Sequence, residues 1–524
     1  MTRHSTLAMQ TVLAIGIFAA PIPAAISATA LADGALAPGE SHPGCETVAA
    51  KGCVELAIHA VGGRAKLAGI RNERADIVGH TLLTEQSYRQ APFITAYSRT
   101  TRTVDFSKSR MLAQVRTIWP ESDPGTGSAE SEAILIATAQ SAVVRAGNVD
   151  APGSLANIED ARETFALSPA RLLLTASAAS DLHYEPAEML RSTPHSVIAF
   201  RWNGRTVKIL LNAFNHLPDA LEDVRPFDDF WFAWGDVSER VYYDNWKVID
   251  GVVYPTNRID ERNGTLWRSQ QALDVKFNVP LDDKSFAMDV AAAAKSARGK
   301  GWNRPFDDSH HTVLAPGIDF YEGAWNTTLI AQDDGVLVLE APISPTFTAG
   351  VLAKARTLHP GVPVSGVLST SDSWPHVAGV REAVANGLPV YVLDLNRPLL
   401  DRMMSAPHKL RPDDLQMRPQ DPHWIVVSGR REIGRGNNRV VVYPLRGAAT
   451  ERQYMVYFPS HKLLYASDTL VLDPQTQALY DPELMHEVAQ AVAREHLDVE
   501  TVYAMHQGPT PWREVMKKVA AAMQ

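Results

Sequence analysis

The chain has 524 residues, too many for one hydrophobic core, and that length implies two to four domains. Its 45% hydrophobic and 21% charged residues are ordinary for a folded globular protein. A formal charge of -9 without a long basic run argues against nucleic acid as the main partner.

The N-terminus reads as an export signal. Arg3 and His4 precede an apolar stretch from Leu7 to Ile26, and Ala30-Leu31-Ala32 supplies an A-x-A cleavage pattern, with Ala28 as a second site. Residues 1–32 are therefore expected to be a signal peptide, and the mature chain to be periplasmic or secreted. An uncleaved anchor is disfavoured because Pro21 and Pro23 interrupt the apolar run. No second stretch of about 18 apolar residues follows, so no transmembrane span is expected in the mature chain. Cys45 and Cys53 are the only cysteines. In an oxidising compartment they close a small disulfide loop; two unpaired thiols are the alternative.

Residues 45–290 have a mainly strand-like texture. Thr206 to Leu210 follows the turn Asn203-Gly204, Val241-Tyr242-Tyr243 leads to Asp250-Gly251, and Asn263-Gly264 separates two further strand candidates. Between Glu121 and Ser180 the pattern is weak, with a helix-like piece from Pro169 to Ala176. Three segments resemble the lipoprotein-carrier-like domains of bacterial envelopes: Ala60-Val61-Gly62-Gly63, Asp250-Gly251-Val252-Val253-Tyr254-Pro255, and Val275 to Leu281 with Phe286. The resemblance implies a curved antiparallel sheet wrapped on helices, with an apolar ligand. An unrelated all-β accessory domain fits the strand count equally. Residues 291–304, rich in Ala, Lys and Gly, suit a linker.

From 305 to 524 strands alternate with helices. Asp333-Asp334-Gly335 turns between two strands, Val351, Leu352, Ala355 and Leu358 lie at helical spacing, and Val364 to Leu368 forms a further strand. The loop Ser369 to Gly379 follows, then a helix with Val377, Val380, Ala383 and Val384 on one face. Asn386-Gly387 ends that helix, and the strand Val390 to Leu393 comes next. Strands are expected at 439–443, 455–458 and 462–465, and helices begin at Pro482 and Pro511, where proline suits a first turn.

Five landmarks in order resemble the metallo-β-lactamase superfamily. They are Asp334 to Pro342, the loop at His376, Arg381-Glu382-Ala383, Tyr457 to Asp468, and His506-Gln507-Gly508. The resemblance implies an α+β chain whose C-terminal half is an αββα sandwich, preceded by the mainly antiparallel β domain. The family's loop reads His-x-His-x-Asp-His, and here those positions hold Ser371, Ser373, Pro375 and His376. One of the family's two metals would therefore face Ser371, Ser373 and Ala449, which cannot replace three imidazoles. The other would face Pro375, His376, Asp468 and His506, of which three can ligate. That set suits one zinc per chain, and no second metal is expected.

Each survivor also has a plain structural reading: His376 as a helix cap, Asp468 as a turn residue, His506 as a partner for a carbonyl. Asp372, Trp374 and His408 are candidate pocket residues, with Trp374 a pocket wall or an exposed recognition group. No residue is assigned a catalytic role. His310-His311 reads as solvated linker, and His461 and His496 as surface residues. Two functions compete: a binding protein with a degraded metal site, taking a small-molecule or apolar ligand or an envelope partner, and a mononuclear zinc hydrolase acting on an ester, amide or related bond.

Overall fold

The computed structural model describes residues 42–84, 93–118, 130–299, 301–473 and 476–523. The expected signal peptide lies outside the described residues. Cys45 and Cys53 are disulfide-bonded, with Cα atoms 5.5 Å apart, which ties the start of the described chain to the helix Ala50–Ala60.

The first half is built on one 13-stranded sheet, antiparallel throughout. Its centre is the pairing of its first strand, Asn72–Leu83, with its last, Thr265–Phe277. One meander runs outward from Asn72–Leu83 to Val149–Pro152, and the other from Thr265–Phe277 back to His183–Leu190. Turns with positive φ at Asn203, Asp250 and Asn263 set the hairpins, as their Asn-Gly and Asp-Gly pairs predict. The helices Ala50–Ala60 and Leu172–Ala178 pack on one face through Val54, Ala57, Leu173 and Ala176. The weakly patterned region resolves into the strands Glu130–Thr138, Ala142–Ala146 and Val149–Pro152 and the helix Leu155–Leu167. Ser154 opens that helix with a capping box through Asn157.

The expected linker is partly a packed element. Val290–Ala297 is a helix capped by Asp289, and Ala292 and Ser296 are buried against the strands at 134–143. Its alanines suit a linker by composition, but alanine is also the best helix former. His311 likewise begins the strand His311–Ala315, where its Nε2 lies 2.8 Å from Asp319, and does not sit in a solvated linker.

The second half has four layers. A seven-stranded sheet runs in order from His311–Ala315 to Trp424–Val427, its last pairings parallel through Val364–Ser369 and Val390–Leu393. A six-stranded sheet runs from Arg431–Ile433 to Gln507–Pro511. The two face each other across a core of Phe320, Ile330, Leu368, Tyr454, Phe458 and Tyr503. Pro345–Leu358 and Val380–Ala385 cover the first sheet on its outer side, while Pro482–Arg494 and Trp512–Ala522 cover the second. Among the described residues no helix is long and apolar enough to cross a membrane.

Candidate metal centre

Strand ends and turns from both sheets of the second half bring three ligand-type side chains together. The apolar strand Val364–Ser369 releases the chain into residues 370–373, and the four-residue helix Trp374–Val377 follows. His376 lies on that turn, buried at 2% exposure. Asp468 follows the strand Leu463–Tyr465 and the left-handed residue Ser467 (φ 57°), which swings the chain out of strand direction. His506 occupies the turn between Thr501–Ala504 and Gln507–Pro511. Ligand atoms of His376, Asp468 and His506 all lie within 4.8 Å of one another.

The geometry within the cluster is specific. His506 Nδ1–H donates to the carbonyl of Ala324 at 2.8 Å, which leaves Nε2 as the nitrogen with a free lone pair. That Nε2 is 3.2 Å from His376 Nε2 and 3.4 Å from Asp468 Oδ1. On the other side of the His376 ring, Nδ1 is 3.1 Å from Ser371 Oγ and 3.6 Å from Asp468 Oδ2. Burial pushes the His376 imidazole down to about 4, against the pull of the Asp468 carboxylate, so the ring is neutral at pH 7.

Two arrangements of protons and ions are compatible with these distances. Without a metal, Ser371 Oγ–H donates to His376 Nδ1, and His376 Nε2–H donates to His506 Nε2. In that chain each imidazole lone pair accepts one hydrogen bond, His376 Nδ1 from Ser371 and His506 Nε2 from His376. With a cation, His376 Nε2 and His506 Nε2 would both turn lone pairs to it beside an Asp468 oxygen, and His376 Nδ1–H would donate to Ser371. Two ligands about 2.0–2.1 Å from a zinc at a tetrahedral angle stand about 3.3 Å apart, close to the observed separations of 3.2 and 3.4 Å. Two imidazoles and a carboxylate are also the donor types that zinc accepts. The residues therefore fit one such ion. Ser371, Ser373 and Ala449 offer only hydroxyls and a methyl, and Ala449 N–H is engaged with Glu487 at 3.1 Å.

Beneath the cluster lies a buried carboxyl that the sequence reading left without a role. Glu340 ends the strand Gly335–Leu339 with φ 73° and 0% exposure. It accepts from Thr370 N–H (3.3 Å), the Thr370 hydroxyl and Tyr465 OH (3.2 Å), and Thr370 Oγ1 meets Ser467 Oγ at 2.7 Å. Glu340 thus ties together the residues that open the two turns carrying His376 and Asp468. Its position, the one acid after an all-apolar strand, was the available signal.

Burial pushes the Glu340 carboxyl up to about 8, against its hydrogen bonds from Thr370 and Tyr465. Its folded pKa is above the unfolded value, so the folded state holds the extra proton. Stability is then expected to fall as pH rises from about 4.5 to about 8. Glu340→Gln should flatten that slope, read by urea unfolding at pH 5 and pH 8; an unchanged slope would reject the assignment.

The three candidate pocket residues do not line this cluster. Asp372 is 0% exposed, lies outside the ligand group, and is 3.9 Å from Arg452 Nε. Trp374 is neither a pocket wall nor exposed: its ring is buried between Trp231 and Trp234 of the first half. Successive residues in this loop face different ways, and the tryptophan follows the domain junction. His408 does line a cavity of about 250 Å³, but a different one, with Phe232, Asn303, Thr346, Glu382 and Arg411 at the junction of the halves. His461 is half-buried, its Nε2 2.8 Å from Asn438 Oδ1.

A larger cavity of about 430 Å³ lies in the first half. Ile77, Met111 and Leu135 line it together with Arg258, Arg268 and Glu239, so its wall is mixed and not simply apolar.

No family model and no curated protein matches this sequence. Among solved structures, the chain is similar to a metallo-β-lactamase from Pontibacter korlensis. Identity is 15%, over 41% of this chain and 99% of that one, with a TM-score of 0.33. The metallo-β-lactamase FIM-1 from Pseudomonas aeruginosa, in its mono-zinc form, matches at 12% identity over 42% of this chain and 96% of its own, TM-score 0.33. The inverting sec-alkylsulfatase Pisa1 from Pseudomonas sp. matches at 12% identity over 41% of this chain and 40% of its own, TM-score 0.31. At these scores the likeness carries nothing about chemistry, which rests on the cluster itself.

Proposed function

We propose that residues 305–524 form a metallo-β-lactamase-like domain that keeps one of two metal positions and binds a single zinc. The observation that carries this reading is the convergence of His376, Asp468 and His506 to within 4.8 Å, with His506 oriented by the Ala324 carbonyl. When bound, zinc would supply a Lewis acid to a ligand oxygen or to water. The chain's own residues do the rest. Glu340 and Thr370 fix the turns, Ser371 holds the outer nitrogen of His376, and burial keeps that ring neutral and able to ligate.

The role we assign is binding of a ligand at a degraded site in an exported protein. The missing donors at 371, 373 and 449 remove one metal and, with it, the bridging arrangement that efficient hydrolysis in such folds would use. Slow hydrolysis of an ester or amide is the second reading, favoured by one observation. His506 keeps 27% and Asp468 17% side-chain exposure, so a substrate can reach the cluster from solvent. The first half, by its resemblance to lipoprotein-carrier-like domains, is proposed to take an amphiphilic ligand in its mixed cavity.

Metal analysis decides the central point. Protein purified with zinc present and then dialysed is expected to hold about one zinc per chain. A content below about a tenth of that would sink the reading.

A further inference from the structure

The loop that departs most from the resembled motif is also the most deeply enclosed. Every residue from 366 to 385 is buried, including Ser371, Ser373 and Trp374. What meets its Trp374 from outside is the first half of the chain. The short helix Phe230–Trp234 presents Trp231 and Trp234, 5% and 9% exposed, edge-on to the Trp374 ring. The ring centroids are 4.9 and 5.4 Å apart, at interplanar angles of 73° and 81°. The backbone is fixed beside them: Asp236 N–H donates to the Pro407 carbonyl at 2.7 Å. The Asp236 carboxylate in turn accepts from Lys409 N–H at 2.7 Å and Leu410 N–H at 3.1 Å. Gly235 (φ 65°) has to be glycine there, since a Cβ would stand 2.4 Å from the Pro407 oxygen and 2.5 Å from the His408 ring.

Trp374 begins the helix that carries His376 two residues on. That helix has four residues and no side-chain cap, so it cannot hold its own conformation by local hydrogen bonding. On its inner side Ile343 N–H donates to the Pro375 carbonyl at 2.7 Å. The turn is therefore held between Ile343 and the two tryptophans. Neither Trp374 nor Trp234 finds a hydrogen-bond partner for its indole N–H among the described residues, so ring packing does the holding.

We propose that Trp231 and Trp234 are positioning residues for His376, so that the first domain is a working part of the metal centre in the second. The proposal builds on the zinc reading above, but its structural part stands without it.

The test uses the full chain carrying Trp231→Ala with Trp234→Ala, beside Trp231→Phe with Trp234→Phe and the control Leu210→Ala. Leu210 belongs to a separate hydrophobic cluster with Leu190, Val197 and Tyr242. In metal-free protein, backbone amide exchange over residues 370–379 is expected to accelerate by about tenfold or more in the alanine pair. Zinc affinity, read by competition with a chromophoric chelator, is expected to fall by about 10- to 100-fold. The phenylalanine pair should recover most of both, and Leu210→Ala should move neither. A folded alanine pair, with native circular dichroism and both readouts within about twofold of wild type, would overturn the proposal. Should that pair not fold, Trp374→Leu removes the ring from the other side and carries the same expectation. If wild type takes up no zinc, the metal reading fails, and amide exchange alone decides the clamp.

Discussion

Replacing His506 by alanine is expected to weaken zinc binding by more than about 100-fold, because residues that merely orient a ligand already contribute 10- to 100-fold. The effect should be this large because, among the described residues, three protein donors converge. Within the cluster, His506 is also the imidazole whose tautomer is fixed by a backbone carbonyl, at Ala324. The substitution is not expected to unfold the chain, since the His506 side chain keeps 27% exposure and packs at a turn. Isothermal titration of zinc into the variant, beside its thermal unfolding, separates the two effects. A variant that binds zinc as wild type does would place the metal elsewhere and remove the cluster's function. An unchanged affinity for an organic ligand in the same variant would favour a binding site that does not use the metal.

Glu239→Ala should give the largest loss of stability, about 3 kcal/mol or more, in the range found when one partner of a buried ion pair is removed. Glu239 is 5% exposed and accepts from Arg262 Nε at 2.9 Å and Arg225 at 3.1 Å. Burial alone would raise its carboxyl, but Arg262, Arg225 and Arg258 together hold it well below the usual carboxylate range. Its folded pKa lies below the unfolded one, so its stabilising contribution is present above about pH 4.5 and is lost as pH falls further. Arg262 keeps Asp229 and Arg225 keeps Glu163 in the variant, which is why the expected loss sits at the low end. Urea unfolding at pH 7 measures it, and a change below about 1 kcal/mol would show the network to be dispensable. The same substitution also loosens a guanidinium that packs beside Trp231. Arg262 stacks over Phe227 at 3.5 Å and Trp267 at 3.4 Å, and lies 5.7 Å from the Trp231 ring.

Much of the second half was legible because its strands are short apolar runs bounded by turn residues. The strand expected at Val364 to Leu368 occurs as Val364–Ser369, and Val390 to Leu393 occurs with those bounds. Proline placed the helix Pro482–Arg494 at its first residue and capped Trp512–Ala522. His376, Asp468 and His506 are far apart in the chain, yet a family's order of landmarks was enough to group them. Trp374 was misplaced because its partners lie about 140 residues earlier, and periodicity reports which face of an element is buried, not by what. Glu340 was passed over for a related reason. A lone acid at a strand end reads as a surface turn until Thr370 and Tyr465 are seen to meet it.

The central pairing of the 13-stranded sheet has a consequence for how the chain comes to be folded. Glu73 stands opposite Phe277, about 200 residues later, so the two meanders join only when the last strand has been made. Each meander is otherwise local and can form hairpin by hairpin. Closure is the slow, high-contact-order step, and the segment bearing Trp231 and Trp234 lies in the second meander, ahead of the strand that completes it. Because the chain emerges N-terminus first, the second half appears beside a partner that has only just become complete. Until the two dock, the Trp374 ring lacks the cover that Trp231 and Trp234 give it, and an uncovered aromatic of this kind is where an incompletely folded chain is open to aggregation.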